Sequence, residues 1–194
     1  MRPLGTIVRL QVQRGGLKVG ERPWKVYDPT PISQVTELEV SSAGVSAHLD
    51  GEGTVVDVHH RDHPVSKNRT DNGISLGFTA HYDRMRAHFG RHLTEGIAGE
   101  NILVQTDTPV ADSDLVNGVL IVTANGKVLR LHDVQVAEPC VEFTRYALRC
   151  SCRQKCDHPA TEGLRFLRGG MRGFYVSYAG EPALVHPGDR VSAI

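Results

Sequence analysis

Two asparagine–glycine pairs lie eight residues apart, Asn117-Gly118 and Asn125-Gly126, and each is followed by alternating apolar and polar residues. Asn-Gly readily takes the positive φ angles that a tight turn between antiparallel strands demands. Val119–Thr123 and Lys127–Leu131 therefore predict strands in successive hairpins. The same period-two pattern recurs along the chain. Thr6–Val12 sets Val8, Leu10 and Val12 against Arg9 and Gln11, and Val35–Val40 sets Leu38 and Val40 against Glu37 and Glu39. Further strands are predicted at Thr54–Val58, Gly173–Ala179 and Arg190–Ala193, with turns at Asp50–Gly53 and Pro187–Asp189. Residues 20–34 hold three prolines and read as an extended loop, and residues 150–163 read as an irregular polar loop. One stretch departs from the pattern. Phe78, Tyr82, Met85 and Phe89 fall on one helical face, so the spacing predicts a helix over Thr79–Phe89, with Thr79 available as a cap and Gly90 just past its end. Many short strands and one clear helix predict a mainly β fold, a closed or nearly closed barrel with a few short helices.

At 194 residues the chain is long enough for one domain, 1–194, with a real core. Its 22 basic and 22 acidic residues cancel, which argues against a general nucleic-acid or membrane-surface binder. No apolar run is long enough to span a bilayer, and the first residues carry no apolar signal stretch. A cytoplasmic location is the expectation, and there the four cysteines would stay thiols.

Three constellations could carry chemistry. The first follows a predicted strand: His59-His60-Arg61-Asp62-His63. His60, Asp62 and His63 resemble part of the H-x-H-x-D-H motif of metallo-β-lactamase folds, but Val58 stands where its first histidine belongs. The run reads better as loop residues, some of them near a site. The second is Cys150, Cys152, Cys156 and His158, a potential structural zinc set, although C-x-C is tight for two ligands on one tetrahedral ion. The third centres on Cys140. Val134 and Val136 alternate as a strand, Pro139 ends the ladder, and Cys140 comes next, at a strand end facing a loop. A thiolate there would be a soft ligand or a nucleophile, and the other reading is a small buried hydrophobe. Upstream, Gly96 and Gly99 let the backbone turn sharply or approach a ligand, with Glu100 and Asn101 at the loop's exit.

Four pieces in order carry a resemblance: Gly96-Ile97-Ala98-Gly99-Glu100-Asn101-Ile102, Glu138-Pro139-Cys140, Gly170-Met171-Arg172-Gly173-Phe174-Tyr175-Val176, and Pro187-Gly188-Asp189-Arg190-Val191. Together they resemble the MOSC domain, found at the C-terminus of molybdenum cofactor sulfurases and as small stand-alone bacterial proteins. The resemblance implies a mostly β, barrel-like fold with Cys140 as the working residue. In oxidoreductase members the matching cysteine ligates molybdenum in the pterin cofactor, and in the sulfurase setting the domain receives or hands over sulfur. Glu100, Asn101 and Arg172 carry over as cofactor-binding residues. Arg145, Arg149, Arg168 and Arg172 are available for the cofactor's phosphate. The Cys150–His158 segment has no counterpart in the resemblance, and no role carries onto His59–His63.

The expectation is a molybdenum-cofactor enzyme that reduces N-hydroxylated or N-oxygenated small molecules, fed by an electron-donor partner. The alternative is a carrier that relays a Cys140 persulfide from a partner desulfurase, which would hold any pyridoxal phosphate. A third reading is a zinc-stabilised β domain without catalysis.

Overall fold

A computed structural model of the chain describes residues 1–150 and 157–194, with side chains from 159 onward in the second stretch. The first predicted strand is longer than its pattern, β1 (Arg2–Gln13). Its inward face is Ile7, Leu10 and Val12, while Val8 is 38% exposed. The cause is a bulge between Ile7 and Arg9, which moves the face by one residue.

The proline-bearing stretch after it is not a plain loop. Just before that stretch lies β2 (Lys18–Val19), which pairs as a small hairpin with β3 (Val26–Tyr27) within it, and β4 (Ile32–Val35) pairs with the end of β1. The strand expected at Val35–Val40 is split. A break at residues 36–37 leaves β4 on the main sheet and sends β5 (Leu38–Ser41) into a separate one with β6 (Gly44–Leu49) and β7 (Gly53–Val56).

Strand β8 (Ile74–Phe78) is buried throughout and runs straight into α1 (Thr79–Phe89), which has the bounds that its periodicity predicts. Tyr82 and Met85 are fully buried on its inner face. Thr79 does not cap the helix; its hydroxyl instead accepts the Thr106 amide at 2.9 Å, tying α1 to the end of β9 (Ile102–Gln105). The Asn125-Gly126 turn joins β10 (Val119–Val122) to β11 (Val128–Val136) as expected, with Val122 facing Val128. Asn117-Gly118 closes no hairpin, because the strand before it, β9, pairs elsewhere. Two helices were not expected from the sequence, α2 (Val141–Ala147) and α3 (Asp157–Phe166). The last three strands are β12 (Phe174–Tyr178), β13 (Ala183–Val185) and β14 (Arg190–Ala193), and β13 joins β5 in the second sheet.

The main sheet runs β14-β10-β11-β12-β8-β9-β1-β4, and β14 pairs back onto β1, leaving β4 as an appendage. Seven strands thus close a barrel in which only β8 and β9 are parallel. Closure leaves no free edge among the seven, and the predicted barrel is borne out. Its interior is aliphatic with Phe78 and Phe174. A second apolar cluster lies outside the barrel wall, where Tyr82 and Met85 of α1 meet Phe143 of α2, Leu167 and Tyr27. Cys140 packs against that second cluster, which sets the place of the candidate site. No helix among the described residues is long and apolar enough to cross a membrane.

Candidate functional site

Strand β11 ends at Val136, and Pro139 keeps the next residues extended. Cys140 is therefore not a strand-end residue, as its sequence suggests, but the N-cap of α2. Its Sγ accepts the Phe143 amide at 3.5 Å, and its carbonyl accepts Thr144 Oγ1 at 2.9 Å. The thiol is half-buried and is free, unlike Cys150. Glu142, two residues on, lies 3.5 Å from Lys18 Nζ. Burial pushes the Glu142 carboxyl up, but its own amide, Lys18 and a hydrogen bond with the Cys140 thiol hold it below its usual range.

Arg172 joins three of the four motif pieces. Its Nη1 donates to Glu138 O at 3.3 Å, its Nη2 to Ala98 O at 3.2 Å, and its guanidinium lies over the Phe143 ring, 5.3 Å from the centroid. Nε is buried without a partner. Burial alone would lower its pKa. Cys140 first, then Tyr27, Tyr175 and Glu100, outweigh burial and raise it. The cation and the thiol are thus electrostatically coupled.

Glu100 and Asn101 sit behind this pair rather than in the open. Glu100 is 4% exposed, and both its carboxylate oxygens accept the Tyr82 hydroxyl, at 2.9 and 2.7 Å. It lies against Gly77, where an added Cβ would come within 2.7 Å of its Cγ, so β8 needs glycine there. Burial raises the Glu100 pKa, and Tyr82 and Arg172 oppose the rise. Asn101 is buried with both ends of its amide used. Its Oδ1 accepts Ser75 N at 3.0 Å and Ser75 Oγ at 2.8 Å, and its Nδ2 donates to Asp57 Oδ2 at 2.8 Å. Asn101 ties β1, β8 and the segment after β7 together. The glycine loop ahead of it is fixed by Gln11 and Gln13, which donate to Gly96 O and Gly99 O at 2.7 and 2.5 Å.

A cleft of about 280 Å³ opens on this assembly. Lys18, Lys67, Arg69 and Arg172 line it, with His59, Tyr27 and Tyr175, and among the described residues no carboxylate does. Cys140 does not itself line the cleft; it is linked to it through Tyr27 and Arg172, whose electrostatics it influences. Lys67 and Arg69 come from the connection between β7 and β8, which lacks regular structure but is held by its own side chains. Buried Asn72 donates to Lys67 O at 3.1 Å and accepts the Arg69 amide at 2.7 Å. Burial lowers the Lys67 pKa first, and Lys18 and Lys25 lower it further, so this wall is cationic, with Glu142 paired to Lys18 alone among its cations.

The sequence reasoning missed Tyr27, Asp57, Lys67, Arg69 and Asn72. The available signal was local: Asp57-Val58-His59 at a strand end, then asparagines at 68 and 72 that hold turns by side-chain bonds. Of the four arginines considered for phosphate, only Arg172 lines the cleft. A larger groove of about 650 Å³ lies at α1, but Arg86 is engaged there by Asp83 at 2.7 Å and Arg9 by Gln11, and no motif residue lines it.

The histidine run does not assemble into a metal site among the described residues. His60 Nδ1 and His63 Nδ1 accept the Asp62 and Val65 amides within their own turns. Among the described residues no three His, Cys, Asp or Glu side chains are grouped to hold a metal ion. Of the zinc set, Cys150 is disulfide-bonded, while Cys152, Cys156 and the His158 side chain lie outside the described residues.

No family model and no curated protein matches the chain. Solved structures do. The YuaD protein of Bacillus subtilis is 15% identical with a TM-score of 0.53, and the match covers 95% of each chain. YiiM of Geobacillus stearothermophilus is 18% identical with a TM-score of 0.53, over 99% of this chain and 75% of that one. YiiM of Escherichia coli is 16% identical with a TM-score of 0.51, over 84% of this chain and 64% of that one. At such identity the likeness is one of fold. The YiiM proteins are MOSC-domain proteins, and what this chain shares with them is a MOSC-like barrel.

Proposed function

We propose that the chain binds a molybdenum cofactor beside Cys140 and reduces N-hydroxylated or N-oxygenated small molecules, with electrons from a partner protein. The observation that carries this reading is the juxtaposition of a half-exposed thiol, Cys140, with a cationic cleft through their shared neighbour Arg172. The MOSC-like barrel supports it.

The residues present fit the group. A thiolate is a soft donor suited to a molybdenum–dithiolene centre. Lys18, Lys67 and Arg69 offer charge-assisted bonds to a phosphate. Tyr27 and Tyr175 offer aromatic surface to a fused ring. The cleft, at about 280 Å³, falls just below the usual range for small-molecule sites, about 300–1,000 Å³. When bound, the cofactor supplies the two-electron chemistry. The chain's own residues do the rest: Cys140 presents its sulfur from the start of α2, Arg172 keeps a fixed positive charge beside it, and Glu100 and Asn101 hold the loop that Arg172 grips.

The test is Cys140→Ser, made in a cofactor-competent host and assayed for molybdenum, pterin, activity and melting. The hydroxyl is harder and far less acidic than the thiol but close to it in size. Molybdenum content or reductase activity should fall sharply while the fold persists. A variant with full molybdenum and full activity would show that the reading rests on the wrong residue. If Cys140 instead relays a persulfide, the substitution should abolish sulfur labelling by a desulfurase whether or not molybdenum is bound. A purely structural thiol would show mainly a stability loss, on the order of 1–3 kcal/mol.

A further inference from the structure

Asp57 is fully buried just beyond β7, and three N–H donors and the Nδ1 of His59 meet its carboxylate. Oδ2 accepts Gln13 N at 2.7 Å and Asn101 Nδ2 at 2.8 Å. Oδ1 accepts His59 N at 2.8 Å and meets His59 Nδ1 at 3.0 Å. An acceptor used in this way requires the hydrogen on His59 Nδ1. Nε2 is then left without it, on a ring that lines the cleft, and the His59 side chain keeps 14% of its exposure. The ring lies 6.1 Å from Tyr175, and its backbone is fixed by Asn68 Nδ2 donating to His59 O at 2.7 Å. The charged groups around the ring are Asp57 behind it and Lys18, Lys67, Arg69 and Arg172 around the cleft. Asp57 is the one anion among them.

We propose that Asp57 and His59 form the proton-transfer dyad of the cleft, with His59 as the proton-delivering residue and Asp57 as its positioning residue. This rests on the proposed reduction, whose balance needs protons. In R–NHOH reduction the N–O bond breaks, nitrogen gains two electrons and one proton, and oxygen leaves as water with a second proton. His59, first protonated at Nε2 from solvent and held as imidazolium by Asp57, gives that proton to the leaving oxygen, and the proton that nitrogen gains comes from solvent. The electrons come from a protein reductant, for which reduced viologen dye substitutes in the assay.

Two measurements test the dyad. In cofactor-free, 15N-labelled protein, nuclear magnetic resonance should find neutral His59 as the Nδ1–H tautomer, and Asp57→Asn should lose that preference. A predominant Nε2–H tautomer in the wild type would overturn the proposal. Asp57→Asn also loosens Gln13 and Asn101 and puts the fold at risk, so the second measurement uses His59→Gln. Loaded with cofactor and given an aryl hydroxylamine, His59→Gln should keep wild-type molybdenum content and lose about 10²-fold in kcat. The limb of the pH profile on which wild-type kcat falls as pH rises should disappear with it. An unchanged kcat and pH profile would refute the role of His59. A wild-type protein that never takes up molybdenum would instead refute the reduction itself, leaving the dyad to be judged by its tautomer.

Discussion

Glu100 shows how a motif residue can act through its buried neighbours. It is buried between Gly77 and the Tyr82 hydroxyl, and its charge faces Arg172 from behind. Its folded pKa is raised above the unfolded value near 4.3. A carboxyl shifted that way favours the native state fully below the unfolded pKa, and the contribution is lost as pH rises through the folded value. Glu100→Gln removes that loss and keeps an acceptor for Tyr82. Its stability relative to wild type should therefore rise with pH, as urea unfolding at pH 5 and pH 8 would show. A variant that loses ground to wild type at pH 8 would mean that the Arg172 attraction outweighs burial. Glu100 and Cys140 were legible in the sequence because each sits beside residues that force a turn, glycine or proline. The dyad residue Asp57 was not, because what makes it special is contact with Gln13 and Asn101, both 44 positions away.

At the scale of elements, what could be read was what a period or a turn encodes. Helix α1 has its predicted bounds because four large apolar residues mark one face. Helix α2 spans only seven residues, too few for a usable period, and α3 has Pro159 in its first turn within a polar stretch that reads as a loop. The bulge in β1 was invisible for a related reason, since it breaks the alternation from which the strand was read. The two Asn-Gly pairs look identical in sequence but differ in what surrounds them. Gly118 and Gly126 both have positive φ, 100° and 83°. An alanine at either would be strained by about 1–2 kcal/mol. At Gly126 a Cβ would meet nothing within 4 Å, whereas at Gly118 it would collide with the Leu131 carbonyl oxygen of the neighbouring strand. Gly118→Ala should therefore cost clearly more than Gly126→Ala in denaturant unfolding. Equal losses would mean that the β10–β11 edge shifts freely to make room.

At the scale of the whole molecule, stability against acid is set by opposed groups. His81 is buried on α1, its Nε2 3.0 Å from both the amide and the carbonyl of Val110, and burial pushes its pKa down to about 4. A histidine with a depressed folded pKa stabilises the native state above its unfolded value near 6.5. Between pH 6.5 and 4 the unfolded chain takes up a proton that the native one refuses, so stability falls as pH falls, and below about 4 this group contributes no further loss. The full swing is about 3 kcal/mol. Buried His60 is shifted the same way, whereas Glu100 gains stability over part of the same window, so the wild-type curve alone does not isolate His81. The difference between wild type and His81→Phe does. Phenylalanine fills a similar volume beside Phe78 and Phe174, whose rings already pack on His81. It leaves the Val110 amide without its acceptor, so at pH 7.5 the variant should be less stable by roughly 1–3 kcal/mol. On titration to pH 4.5 that deficit should shrink or reverse, because only the wild type pays for a histidine that resists its proton. A deficit that stays constant from pH 7.5 to 4.5 would mean that His81 is protonated in the native barrel as readily as in the open chain.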